Sequence, residues 1–220
     1  MLCLDRFVID PSITGEAYYK LLAEKIAEES GGQAVDFIGF SIGAFIALQT
    51  CRYMPNGVRS LHLVSAAAPL EAGEFLLAKA APTLFLLLSY WQSLLAWLAP
   101  KALFRLLFAS AAGGDKALAA DPEFQARITP VLRSCFLGRV RGYARDVGAY
   151  VQPWSATLVD ISVPTHLWHG DKDNWSPSQM AHYLAPAIPG AASTQSFSGL
   201  SHYSCLYRAV PEICRGLGRG

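Results

Sequence analysis

Ala34-Val35-Asp36-Phe37-Ile38-Gly39-Phe40-Ser41-Ile42-Gly43 is the stretch on which the reading of this 220-residue chain turns. Its first seven residues form a near-continuous apolar run, the pattern of a strand buried on both faces of a parallel sheet. From Ile42 to Tyr53 the pattern becomes helical. At the junction, Gly39-Phe40-Ser41-Ile42-Gly43 matches G-x-S-x-G, a sharp strand-to-helix turn that needs glycines on both sides of its serine because side chains there would collide. A plain tight turn could carry the same five letters, so the flanking strand and helix supply most of the signal.

Upstream, Thr14 to Glu29 place Ala17, Tyr18, Leu21, Leu22 and Ile26 at spacings of three and four, an amphipathic helix stopped by Gly31-Gly32. Leu2 to Ile9, closed by Asp10-Pro11, reads as a short strand and a turn. Downstream, Ser60 to Ser65 is a second buried strand and Pro164 to His169 a third, with a long, largely helical insertion between them. A loop follows, then a helix opened by Ser176 as cap with Pro177 in its first turn, a strand near Thr194 to Phe197, and a terminal helix after His202. The βα alternation implies a parallel sheet. Residues 1–68 form the N-terminal part of the core, 69–158 the helical insertion and 159–220 the C-terminal part.

Hydrophobic residues make up 52% of the chain and charged ones 16%, with a mean hydropathy of +0.27, which excludes a disordered chain. A formal net charge of +1, without a block of like charges, leaves no footprint for nucleic acid. Five cysteines without a C-x-x-C pair fit free thiols in a reducing compartment, and Met1 to Asp10 lacks a signal-peptide pattern, so a cytoplasmic location without export is expected. Within Phe75 to Pro100, Thr83 to Ala99 carries no charge and reaches the ~17-residue lower limit for a membrane helix. Pro82, Ser89, Gln92 and Ser93 weaken that reading, so a lid helix pair over a lipophilic pocket is favoured over contact with a membrane surface.

The turn at Gly39 to Gly43, the run His169-Gly170-Asp171-Lys172-Asp173 and Gly199-Leu200-Ser201-His202 together resemble the nucleophile, acid and histidine loops of the lid-bearing α/β-hydrolase family, in that family's chain order. The resemblance implies an α/β fold with a mostly parallel sheet and a helical lid inserted between two strands. It also implies a catalytic triad. A serine hydroxyl is a poor nucleophile at neutral pH, so His202 would take the proton of Ser41 while Asp173 holds the imidazole in the right tautomer and stabilises its charge. The family places its acid three residues after the glycine, which selects Asp173; Asp171 would then shape the loop, and Glu71, after the second strand, is a more distant option.

The other histidines are read as structural: His62, His166 and His169 fall within strands, and His182 lies in a helix with no carboxylate motif beside it. His166 and His169, three apart on a strand, face opposite sides and cannot share an ion, so no metal is expected. The chain has no G-x-G-x-x-G, G-x-x-x-x-G-K-[ST] or H-E-x-x-H, and no cofactor is expected either.

The resemblance assigns the backbone N–H of Ile42 to the oxyanion hole, with a second N–H from a loop that this chain does not carry before Ser41. Family members also have three more strands ahead of the segment that Leu2 to Ile9 resembles. Three arrangements remain open. The first strand pairs beside Ala34 to Phe40, the sheet begins there with an exposed apolar edge, or the sequence is part of a longer gene product, the last being preferred.

The expected activity is hydrolysis of an ester, thioester or related acyl bond of a hydrophobic small molecule. The alternative is a non-catalytic or truncated hydrolase-fold protein that binds an apolar ligand or partner. Other chemistries share the topology, although serine at position 41 argues against a dehalogenase, which uses aspartate. Of the insertion's Phe75, Phe85, Tyr90, Trp91, Trp97, Phe104, Phe108 and Phe136, most are expected in its core and a minority at a pocket, while Arg133, Arg139, Arg141 and Arg145 are expected on a solvated helix face. The oligomeric state is left open.

Overall fold

The computed structural model describes residues 2–73, 100–136 and 139–218. The lid helices expected over Phe75 to Pro100, with Phe75, Phe85, Tyr90, Trp91 and Trp97, fall almost wholly outside the described residues, and so does the side chain of Phe136.

Strands β1 (Val35–Phe40), β2 (Val58–Val64), β3 (Thr165–Gly170) and β4 (Ala191–Phe197) form one sheet in the order β1-β2-β3-β4, with every neighbouring pair parallel. Phe40 pairs with Val64 and Val64 with Trp168, so the C-terminal ends of the first three strands lie side by side. Because side chains alternate along a strand, Leu61, Leu63 and Leu167 share one face. They pack against helices α1 (Gly15–Glu29), α2 (Ile42–Cys51) and the later helix Ser178–Ala187, whose Tyr18, Phe45, Leu48 and Leu184 are fully buried in the same cluster. Each such side chain contributes about 1.5–3 kcal/mol relative to exposure. Val64 on the opposite face packs with Cys205, Ala209 and Ile213 of the terminal helix, giving helix–sheet–helix layers.

Between β2 and β3 the described chain is helical: α3 (Pro100–Leu107), α4 (Asp115–Ala120), α5 (Pro122–Phe136) and α6 (Val140–Tyr150), followed by a 3₁₀ turn at Ser155–Asp160. Leu103, Phe104, Phe108, Phe124 and Leu132 make a second apolar cluster there. After β3 come α7 (Ser178–Ala187), β4 and α8 (His202–Leu217).

Four local expectations are corrected. Leu2 to Ile9 is not a strand; it holds a 3₁₀ turn at Arg6–Val8, capped by Asp5 and docked on α6. Its carbonyls explain why: those of Arg6 and Ile9 accept from the Arg145 guanidinium instead of a neighbouring strand, and Arg6 itself reaches Asp146 at 2.6 Å. β1 is the edge strand among the described residues, and all of it but Gly39 is only half-buried, so the apolar run did not signal burial on both faces. Among the described residues its outer edge has no neighbouring strand to cover it. Arg145 is buried against Asp146 with its guanidinium 3.6 Å from the Tyr18 ring centroid, rather than on a solvated face. Finally, α7 is capped at Pro177, not Ser176, whose N–H is turned toward Asp173.

Among the described residues no helix is long and apolar enough to cross a membrane, and no group of three or more His, Cys, Asp or Glu could hold a metal ion. Cys3, Cys51, Cys205 and Cys214 are free thiols.

Candidate active site

Ser41 stands between β1 and α2 with φ 54° and ψ −126°, a left-handed conformation that costs a non-glycine residue about 1–3 kcal/mol. Three backbone bonds hold it there. Its N–H donates to the Val64 carbonyl at 3.1 Å, and its own carbonyl accepts from Ala44 at 3.0 Å and Ala67 at 3.3 Å. A Cβ at Gly39 would come within 2.7 Å of the Ala44 Cα, so the turn can close only on glycine. Gly43 differs from expectation: a Cβ there meets nothing within 4 Å, and its glycine is not demanded by the turn. Ile42 opens α2, where the first amides have no intrahelical acceptor, so its N–H is available to a developing negative charge beside Ser41.

Asp173 follows β3 and His202 opens α8. The fold brings them together across the C-terminal edge of the sheet: His202 Nδ1 donates to Asp173 Oδ2 at 2.9 Å, with both side chains buried. The other carboxylate oxygen accepts the N–H groups of Trp175 and Ser176, each at 2.9 Å. Burial would raise the Asp173 pKa, but the His202 hydrogen bond and charge, with the Ser176 N–H, outweigh it and hold the carboxyl below the usual range. The His202 ring lies against Phe40, 4.6 Å between centroids, which places it beside the residue preceding Ser41, and it is stacked on Trp175 at 5.5 Å. The Ser41 hydroxyl itself makes no hydrogen bond among the described residues.

The competing carboxylates are engaged elsewhere. Glu71 accepts the N–H groups of Trp154 and Ser155 at 2.7 Å each, closing the chain ahead of β3. Asp171 accepts the Gly199 N–H at 2.7 Å and so ties the acid loop to the histidine loop. His169 is buried; its Nε2 bonds the Ser176 carbonyl at 2.7 Å and lies 3.8 Å from Asp173 Oδ2. Burial first, partly offset by Asp173, pushes its pKa down. His62 and His166 stack 4.9 Å apart on the opposite sheet face, away from His169.

Sequence reasoning missed Trp175, and it missed Asp115, whose carboxylate lies under the first turn of α8. A tryptophan two residues after the acid could have been noticed as a wall of the site; Asp115 offered only the acidic start of a short helix. The insertion's apolar cluster extends to the same place, with Phe108 5.2 Å from Tyr203 and 6.4 Å from Trp175. A separate cleft of about 740 Å³, lined by Tyr18, Tyr19, Phe45, Gln49 and Trp154 among others, includes none of Ser41, Asp173 or His202.

A family model described as the alpha/beta hydrolase fold matches residues 14–209. Among solved structures, the chain is similar to a thermophilic esterase from Thermogutta terrifontis with malate bound (19% identity, TM-score 0.64, 94% of this chain and 72% of that one). It is similar also to a bromoperoxidase from Bacillus anthracis (15%, 0.66, 93% and 73%) and to an α/β hydrolase enzyme from a Medee basin deep-sea metagenome library (20%, 0.66, 95% and 72%). At these identities the likeness is one of fold. A search of curated proteins found no match.

Proposed function

The chain belongs to the α/β-hydrolase fold family, and from that premise we propose that it is a serine hydrolase cleaving an ester, thioester or related acyl bond of a hydrophobic small molecule. The buried Asp173–His202 pair, set beside the strained turn that presents Ser41, carries this reading. Ser41 Oγ attacks the acyl carbonyl and passes its proton to His202 Nε2, leaving a tetrahedral oxyanion near the Ile42 N–H. Collapse expels the alcohol or thiol, which takes the proton from His202, and water then releases the acid from Ser41 by the same route. Asp173 holds Nδ1 of the imidazole throughout, so that Nε2 is the nitrogen that works. Phe108, Trp175 and Tyr203, packed together next to His202, support an apolar acyl or alcohol group. Neither a metal nor a cofactor enters this scheme, nor does nucleic acid as a partner.

The test is labelling of the 220-residue protein and its Ser41→Ala variant with a fluorophosphonate, read by intact mass. One adduct, lost in the variant, is the expected result; no adduct on a folded protein would overturn it. A second reading, a hydrolase-fold protein that binds an apolar ligand without turning it over, is favoured by the Ser41 hydroxyl making no hydrogen bond among the described residues. Tight ligand binding with an unreactive Ser41 would select it.

A further inference from the structure

The described helical segment between β2 and β3 is seated on the loops that carry Asp173 and His202. The Gly114 N–H donates to the Gly199 carbonyl at 2.8 Å, and the Asn174 side-chain amide reaches the Ser110 carbonyl at 2.6 Å. A Cβ at Gly113 would come within 2.4 Å of the Gly199 oxygen, and one at Gly114 within 2.9 Å of the Ser204 side chain. Two backbones touch here, and only glycine permits it.

This contact delivers Asp115, 1% exposed, to the start of α8. Its two carboxylate oxygens accept the N–H groups of Tyr203 at 3.1 Å and Ser204 at 2.7 Å, the two residues that follow His202. Among the described residues Asp115 has no ion pair. A buried carboxylate without a cation is costly, and what compensates it here is the positive end of the α8 dipole together with two charge-assisted hydrogen bonds. The first turn of α8 carries a matching internal bond, from the Ser201 N–H to Ser204 Oγ at 2.8 Å. His202 is therefore held at its side chain by Asp173 and at its backbone turn by Asp115, from a different part of the chain.

We infer that Asp115 is a positioning residue for His202: it fixes the first turn of α8 and thereby the reach of the imidazole toward Ser41, which makes the helical segment part of the working site. The inference rests on the reading of His202 as the base. It is tested in the full chain with Asp115→Ala, with Asp115→Asn, whose amide oxygen can still accept one of the two N–H groups, and with Ile213→Ala, which opens the buried far end of the same helix. The readouts are kcat and KM on p-nitrophenyl butyrate, the fluorophosphonate labelling rate, thermal melting and the NMR signals of the His202 ring.

Asp115→Ala is expected to lower kcat roughly 10- to 100-fold with KM changed less than about twofold, because a small displacement of a base acts on the chemical step. Asp115→Asn should recover part of the loss. Ile213→Ala should melt earlier while keeping its kcat. Wild-type kcat and labelling in Asp115→Ala, an equal loss in Ile213→Ala, or an Asp115→Asn protein that does not fold would each overturn the inference. If wild-type Ser41 is not labelled at all, the hydrolase reading fails separately, and the ring signals decide: a shift in Asp115→Ala that is absent in Ile213→Ala supports the positioning role, and unchanged signals sink it.

Discussion

Asp173 presents one carboxylate oxygen to His202 Nδ1 at 2.9 Å and closes its own loop with the other, through the N–H groups of Trp175 and Ser176. One side chain thus orients the imidazole and shapes the loop that holds it. Asp173→Asn should leave the loop largely closed but reverse the His202 bond, favouring the wrong tautomer, with a fall in kcat of about 10⁴ if the triad operates. Steady-state kinetics on a p-nitrophenyl ester, beside a melting curve showing a folded variant, checks this.

The same carboxylate makes stability depend on acid. Its folded pKa lies below the unfolded value of about 3.9, so its contribution is present above that pH and is lost as pH falls through the folded value. His62 acts in the same direction over a higher window. Burial, then the neighbouring His166, pushes its pKa down to about 4 from an unfolded value near 6.5. In the folded protein it stays neutral while the unfolded chain takes up a proton, so stability falls between about pH 6.5 and 4. Urea midpoints at pH 7, 5.5 and 4.5 should fall less steeply in His62→Gln; an identical slope would remove His62 from the account.

Gly39 and Gly43 flank Ser41 symmetrically in sequence but not in space. Gly39→Ala places its Cβ 2.7 Å from the Ala44 Cα and should cost about 1–3 kcal/mol, with loss of Ser41 labelling if the turn shifts. Gly43→Ala points into open space within the first turn of α2 and should be neutral or stabilising by about 0.5–1 kcal/mol. Chemical denaturation of the two variants side by side distinguishes them.

Arg145 holds the N-terminal segment to α6. It is 8% exposed, pairs with Asp146, and donates to the carbonyls of Arg6 and Ile9. Arg145→Leu leaves Asp146 with Arg6 as its remaining cation and takes the guanidinium donor away from the carbonyls of Arg6, Ile9 and Asp10. A loss of about 3–5 kcal/mol is expected, read as a melting temperature lowered by roughly 6–20 °C. A drop of a degree or less would mean the segment is not held there.

The three loops that carry Ser41, Asp173 and His202 were legible in the linear sequence because each is a local device. Gly39 to Gly43 announces a strand-to-helix turn through glycine spacing and the change of period on either side, and the runs after His169 and Gly199 follow apolar strands in the same way. The parallel sheet was legible too, since strands that alternate with helices have few other ways to bury both.

Which groups meet depends on contacts between residues far apart in sequence, and there the linear pattern is silent. Spacing alone left Asp173, Asp171 and Glu71 open; the packing of β3 against β4 put Asp173 under His202 and sent the other two to backbone amides. An apolar run could not say whether β1 was central or at an edge, because hydropathy records affinity for a core and not which neighbours arrive to build it. Leu2 to Ile9 looked like a strand until the Arg145 guanidinium, more than a hundred residues on, took its carbonyls. Asp115 and α8 meet across 88 and 89 positions of chain, through two hydrogen bonds that exist only once two backbones have approached at Gly113 and Gly114. Local geometry is encoded by neighbouring residues and can be read from them; a buried polar partner is selected by the whole fold, since desolvation makes each such group bond to whatever the packing brings within reach.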